Sequence, residues 1–476
     1  MIKKTSIKEL FYNKILLNPE KEIIISEKNQ ISFNDLNLNI LKCISYLKKN
    51  YKKKNIIFIN SNTEDFFIFF LNFLFSNYKI FPLDPNTNKK KINILKKKFK
   101  FDYVDDNFNL KKIVNERKSQ VNFTDHDFLY ILSSGTGTGE SSAILHTSRS
   151  LLLSSKSFSN LAKYNENTVI YHCLPTFYMA GILNTFLSCI FSQSKIAIGK
   201  TFSFQSIGTF WKDAKKLNVN SLHLTPSIYF FLCITHRVNQ GLRDHLANYQ
   251  SIISTASYLY PEIRKKFFKI FKRRIQSCYG LTELGGPLTC ENIDEVIFDD
   301  NDFVVGQHSK ELKIKVTKKQ EILINSPFLM KGYVTENGKI EKPKLKNGYF
   351  VTGDLGSYEN GNLSYFGRKK EIIKVGGELI SLTIVENLVY KSNFVSDCAA
   401  VGKPSLISGE ELILFIVFKK RKNINSEIIK LSRYLKKTLR KIELPKKIIP
   451  ISEMPKTKSG KIIKKRLLDL YTLKNV

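Results

Sequence analysis

Paired cysteines are missing from this chain. Its seven cysteines (Cys43, Cys173, Cys189, Cys233, Cys278, Cys290 and Cys398) are scattered, with no C-x-x-C pair and no histidine at zinc-ligand spacing. That pattern excludes a disulfide scaffold and a zinc module, and it leaves free thiols in a reducing compartment as the expectation. Long apolar runs are missing too. The most membrane-like segment, Asp65 to Ser76, reads DFFIFFLNFLFS; at about a dozen residues it falls well short of the roughly 20 that span a bilayer, and it predicts a buried core helix. No apolar signal core follows Met1-Ile2-Lys3-Lys4, because Glu9, Asn13 and Lys14 interrupt it. The expectation is a cytoplasmic protein without a transmembrane segment. No internal repeat is evident.

Acidic residues are the other scarcity. Against 76 Lys and Arg stand only 42 Asp and Glu, a formal charge of +34. Such a balance raises nucleic acid or an anionic surface as a partner. The lysines, however, are spread among abundant Asn and Ile. The runs Lys89 to Lys91, Lys96 to Lys98 and Lys419 to Lys422 lack the interleaved aromatics of a strand-binding platform. A solvated basic surface is therefore expected, with no specific nucleic acid partner, and a dock for an acidic partner stays open. The segment Glu291 to Asp302 is acidic and breaks the uniform field.

What the chain has in quantity is apolar residue, 42% over 476 positions, enough for more than one domain. Over residues 5 to 130, helical periodicity (Phe33 to Lys49, Asp65 to Asn77) alternates with a short apolar run (Ile56 to Ile59), which predicts a parallel sheet covered on both faces. Phe128 to Ser133 predicts a strand feeding a Gly/Ser/Thr loop, with the helix Ser148 to Leu161 following it. The strand signal recurs at Val169 to Cys173, Lys195 to Ile198, Ser221 to Leu224, Ile252 to Ala256 and Ile275 to Cys278, with helices at Phe202 to Leu217 and Pro261 to Phe271 between. From Phe303 the pattern changes to short β segments separated by turns such as Glu359-Asn360-Gly361-Asn362. After Gly367-Arg368-Lys369-Lys370 comes a last basic unit, with a strand at Leu412 to Lys419 and a helix at Ser426 to Leu439.

Three fragments carry chemistry, in a fixed order: Tyr279-Gly280-Leu281-Thr282-Glu283, Thr352-Gly353-Asp354 with Gly367-Arg368 downstream, and Pro455-Lys456-Thr457-Lys458-Ser459-Gly460-Lys461. Together with the loop Ser133-Ser134-Gly135-Thr136-Gly137-Thr138-Gly139, they resemble the adenylate-forming superfamily of acyl-CoA synthetases, adenylation domains and luciferases. The resemblance spans almost the whole chain. It implies an α/β fold: a large N-terminal domain (1–369) of two parallel-sheet α/β subdomains plus a small β-rich subdomain, and a hinged small α/β C-terminal lid (370–476).

The function it implies is ATP-dependent activation of a carboxylic acid to an acyl-adenylate, followed by transfer to a thiol. CoA is the expected acceptor, with the phosphopantetheine of an acidic carrier protein as the alternative. Glycines 135, 137 and 139 let backbone amides approach phosphate oxygens, and Ser134, Thr136 and Thr138 offer hydroxyls. By resemblance, Tyr279 and Gly280 meet the adenine, Thr282 the α-phosphate, and Glu283, with Thr138, a Mg²⁺ ion on the phosphates. Asp354 and Arg368 take the ribose. Lys461 assists the attack on the α-phosphate, Lys370 is the hinge, and Gly376 and Gly377 leave room for a pantetheine arm.

In Leu174 to Gly181, Tyr178 occupies the position that gates the acyl pocket, with Thr255 and Ala256 lining it. No Asp marks an α-amino acid, so a fatty, hydroxy or aromatic acid is expected. The chain departs from the family at Ser141-Ser142-Ala143, where Pro-Lys-Gly is usual. An ion contact of about 1–3 kcal/mol is lost with that lysine. The rival expectation is a degenerate member that binds nucleotide or acyl group without turnover.

Overall fold

A computed structural model describes residues 5–60, 63–106, 108–132, 143–203, 205–236, 238–292, 303–335, 337–405, 407–419, 423–457 and 462–473. The phosphate-loop residues Ser134 to Gly139, together with Ser141 and Ser142, and Lys461 lie outside these, as does most of the acidic segment after Asn292.

The chain builds two large sheets with helices between and outside them, and a third sheet near the C-terminus. The first sheet is seven-stranded. Tyr103–Asp105, Asn55–Ile59, Lys79–Leu83 and Asp127–Leu132 run parallel, and Ala143–Thr147 and Gly332–Val334 extend them antiparallel. The second is fourteen-stranded. It has a parallel half that includes Val169–His172, Ser221–Leu224, Ser251–Ser254 and Gln276–Leu281. Gly286–Cys290 turns antiparallel on Gln276–Leu281, and the β segments after Phe303 continue from there. The expected β-rich subdomain is thus fused edge to edge with a parallel sheet.

The helix Glu64–Ser76 explains the apolar run. Every residue from Phe66 to Ser76 is buried, because the helix is packed in one core with Phe58 and Phe128 of the first sheet and Ile170 and Ile196 of the second. A helix buried on all sides needs no polar face. Glu64 and Asp65 sit at its N-terminal turn, where the helix dipole favours carboxylates, and Asn77 ends it in the left-handed conformation. Among the described residues, no helix is long and apolar enough to cross a membrane.

Two sequence expectations are corrected. The phosphate loop does not run directly into a helix. Ala143–Thr147 intervenes as a buried strand, antiparallel to Asp127–Leu132 with Leu132 opposite Ala143. Its apolar Ala143, Ile144 and Leu145 are worth more in the sheet, and the helix Ser148–Leu161 starts only at Thr147, whose hydroxyl caps the Ser150 amide. The helix expected over Phe202 to Leu217 shrinks to Phe210–Lys216 after a short turn at Ile207–Thr209. Ser203 and Ser206 exchange side-chain bonds with each other's amides and so compete with the helix ladder.

The C-terminal sheet begins at Ile372. Gly409–Phe418 lies between Ile372–Val375 and Val395–Ser405 and pairs parallel with Lys447–Pro450. The helix Leu382–Lys391 closes a separate small core on it.

Candidate functional site

One hairpin builds the first corner of the site. Tyr349–Glu359 and Asn362–Arg368 are joined through Asn360 and Gly361, both at positive φ, the two-residue turn that suits the right-handed twist of paired strands. That turn sets the register beside it, and a bulge between Leu355 and Gly356 shifts the pairing by one residue so that Asp354 stands directly opposite Arg368. Arg368 Nε stands 3.1 Å from Asp354 Oδ1. The hydroxyl of Tyr279, on the neighbouring part of the same sheet, donates to Asp354 Oδ2 at 2.8 Å. The Thr352 hydroxyl accepts the Asp354 amide.

Burial pushes the Asp354 carboxyl above the usual carboxylate range; the Arg368 cation and the Tyr279 hydrogen bond oppose this without cancelling it. Asp354 is 1% exposed, and its Oδ1 is ion-paired with Arg368 but accepts no hydrogen bond of good geometry. A buried acceptor in this state is a site for a donor from outside the chain.

Around this corner lies a cavity of about 220 Å³, lined by Ala256, Tyr258, Tyr279, Gly280, Asp354, Tyr365 and Arg368 from the body of the protein. The Tyr279 and Tyr365 rings are 5.7 Å apart, and Tyr258 lies 6.4 Å from Tyr365. These rings supply flat apolar faces for a heteroaromatic ligand. Gly280 is required where it stands, because a Cβ there would collide with the Gly286 carbonyl. Tyr258 and Tyr365 were not singled out in the sequence; their signal was nearness to Thr255-Ala256-Ser257 and to Gly367-Arg368.

The Thr282–Leu284 turn follows at the strand end. Tyr333 donates to Glu283 Oε1 at 3.1 Å, and the Met330 amide to the Glu283 carbonyl. His146, also missed, lies fully buried with Nε2 2.7 Å from the Thr282 carbonyl, which fixes the proton on Nε2. Burial pushes the His146 ring down to about 4, so it is a neutral strut for the turn. A Mg²⁺ ion on substrate phosphates needs only one or two protein carboxylates beside water, and half-buried Glu283 meets that demand. Among the described residues no cluster of three or more His, Cys, Asp or Glu forms a dedicated metal cage.

The C-terminal unit covers the cavity. Glu371, Thr383, Glu386, Tyr390, Ser396, Asp397, Lys456, Ile462 and Lys464 also line it. Lys456 bridges to Ile462, so both flanks of the segment that holds Lys461 stand at the cavity wall. A larger cavity of about 1090 Å³ opens between the two units and shares Ser227, Phe230, Asp397 and Lys456 with the first.

Several expected residues fall elsewhere. Phe177, not Tyr178, lines the larger cavity; the chain turns with the Tyr178 amide on the Pro175 carbonyl, and consecutive side chains leave such a turn in different directions. Thr255 is buried beside the cavity and Ala256 lines it. Gly376 and Gly377, with φ of 56° and 91°, form the exposed hairpin turn between Val375 and Glu378 and line neither cavity. Lys370 is exposed, just before the C-terminal sheet.

A mixed α/β body with a ring-lined, carboxylate-cornered cavity under a small C-terminal unit has counterparts. Residues 96–334 match the AMP-binding enzyme family, and residues 384–461 match the AMP-binding enzyme C-terminal domain. The chain belongs to that family. It is 28% identical over 359 residues to an oxalate–CoA ligase of Arabidopsis thaliana, covering 74% of this chain and 68% of that one. To the 2-succinylbenzoate–CoA ligase of Lactococcus lactis it is 28% identical over 309 residues, 64% and 62% of the two chains. The matched stretches span about two thirds of these relatives. The structure of ATP-bound MatB from Rhodopseudomonas palustris superposes with a TM-score of 0.84 at 18% identity, covering 97% of this chain and 98% of that one.

Proposed function

We propose that the protein is an AMP-forming acid–thiol ligase that joins a small organic carboxylic acid to CoA. The observation that carries this reading is Asp354 Oδ1, buried at the cavity corner, where Arg368 Nε pairs with it as an ion at 3.1 Å without hydrogen-bond geometry and so leaves it open to a donor. A ribose supplies that donor, and the rings of Tyr279, Tyr258 and Tyr365 suit the adenine beside it.

In the first half-reaction a carboxylate oxygen of the acid attacks the α-phosphorus of ATP, and pyrophosphate leaves. Thr282 and Lys461 stand for the groups that hold the charge building on the α-phosphoryl oxygens, the loop residues 134–139 for those on the departing phosphates. Glu283 and Thr138 would hold Mg²⁺, which neutralises phosphate charge when bound. In the second half-reaction the thiol sulfur attacks the acyl carbon, AMP leaves with the bonding pair, and the thiol proton passes to solvent. The 370–476 unit is read as a lid that pivots at Lys370 between the two, turning Gly376 and Gly377 toward the adenylate. CoA is the preferred thiol because the relatives above are named for it.

Exchange of labelled pyrophosphate into ATP tests this, across oxalate, malonate, 2-succinylbenzoate, fatty and aromatic acids. Acid-dependent exchange, reduced about 100-fold or more in Lys461→Ala, is the expected result, and it would establish that a loop with Ser142 in place of lysine still works. ATP binding without exchange for any acid would instead favour the non-catalytic binder that Ser142 suggests.

A further inference from the structure

Glu386 lies where the body, the C-terminal unit and the tail meet. It sits on the helix Leu382–Lys391 and is 5% exposed, a burial that carboxylates tolerate only with partners. Its Oε2 accepts the Tyr260 hydroxyl at 2.8 Å, from the residue that leads into the body helix Pro261–Phe271. Its Oε1 accepts the Ala400 amide at 2.8 Å and stands 2.9 Å from the Lys464 ammonium. Lys464 opens the last helix, three residues beyond Lys461.

A second contact holds the other flank of the same segment. Lys456 pairs with Asp397 at 2.6 Å, its ammonium 5.5 Å from the Phe231 ring centre in the body. Asp397 also accepts the Tyr390 hydroxyl at 2.7 Å, and the Tyr390 ring lies 4.3 Å from that of Tyr260. Lys456 and Lys464, which precede and follow Lys461 in the chain, are therefore both held, and Glu386 is the group that binds the second of them and the body together.

We propose that Glu386 is a positioning residue that couples closure of the C-terminal unit on the body to delivery of the Lys461 segment for adenylation. The proposal rests on the ligase reading above and deepens it. Opening the unit removes the Tyr260 donor from a carboxylate that already has little water, and loosening the tail removes its cation. Each contact orders the same acceptor for the other, so closure and tail placement stabilise one another. Burial alone would make Lys464 easier to deprotonate, but Glu386 and Glu371 more than reverse this and keep it an ammonium. The thioester step, which in the ligase reading uses a turned lid, does not draw on the Tyr260 contact.

The test separates the half-reactions in Glu386→Gln and Tyr260→Phe. Pyrophosphate exchange is expected to fall about tenfold or more, the loss of one charge-assisted bond, while thioester formation from supplied acyl-adenylate stays within about twofold. A parallel readout needs no activity: spin labels at Lys272→Cys and Lys437→Cys, both exposed positions, report the distance between the units, since all seven native cysteines are buried. With ATP analogue bound, one narrow distance in the parent and a broadened distribution in Glu386→Gln are expected. Equal losses in both half-reactions, or an unchanged distance distribution, would overturn the latch. Absent exchange in the parent would overturn the ligase reading, and the distance measurement would then decide the latch alone.

Discussion

The Asp354 corner and the Glu386 corner of the cavity use the same chemistry, a buried carboxylate held by a cation and a tyrosine, and they differ in how far apart their members lie in the chain. Asp354 and Arg368 face each other across one hairpin. Tyr260 and Glu386 are 126 residues apart and belong to different units. A hairpin register is set locally and does not depend on contacts with the C-terminal unit. The Glu386 corner exists only where two separate cores are pressed together, so in the ligase reading the first is a preorganised binding feature and the second one that forms and breaks.

The largest test of that contrast is Asp354→Ala. It removes the partner of Arg368 and, in the ligase reading, the ribose acceptor, and kcat/KM for ATP is expected to fall about 100-fold, two charge-assisted bonds of roughly 1.5 kcal/mol each. Steady-state kinetics should show the loss in both half-reactions that use nucleotide, unlike the one-sided loss expected of Glu386→Gln. Equal one-sidedness would erase the distinction between the corners.

Acid should separate the two units next. All seven histidines precede Ser309. Three of them are fully buried in the body: burial pushes His146 down to about 4, and His172 and His223 to about 3. A base that is harder to protonate when folded gives stability that is complete above the unfolded value of 6.5 and is lost as pH falls through the interval down to about 4 and about 3. The loss is on the order of several kcal/mol. The single tryptophan, Trp211, is buried in the body, so urea unfolding followed by its fluorescence should shift to lower denaturant between pH 6.5 and 4, while the histidine-free C-terminal unit should be insensitive over this range.

The smallest effect is expected at Ala256, which lines the cavity with φ of 74°. Ala256→Gly relieves roughly 1–2 kcal/mol of left-handed strain and adds roughly 0.5–1 kcal/mol of unfolded-chain entropy. A net gain of about 0.5 kcal/mol in thermal or urea unfolding should result, with nucleotide affinity nearly unchanged.

Much of the body could be read in advance. The helix Phe33–Asn50 follows its periodicity and capping box, Pro261–Phe271 its periodicity and leading proline, and Glu64–Ser76 an apolar run too long for a strand, all signals that act within a few residues. The strand Ala143–Thr147 could not, because five residues of mixed Ala, Ile, Leu, His and Thr have no decisive period and owe their state to a partner strand.

By itself the sequence determined the order of the chemical fragments and the hairpin turn at Asn360-Gly361, since each depends on neighbours along the chain; the bulge that brings Asp354 opposite Arg368 was not legible in it. Only the tertiary structure decided that Tyr365 lies tilted between Tyr279 and Tyr258, that His146 props the Thr282 turn, that Phe177 rather than Tyr178 meets the cleft, and that Glu386 joins Tyr260 to Lys464. Those contacts close long loops, and burial of the two units against each other, which no local pattern encodes, sets their geometry.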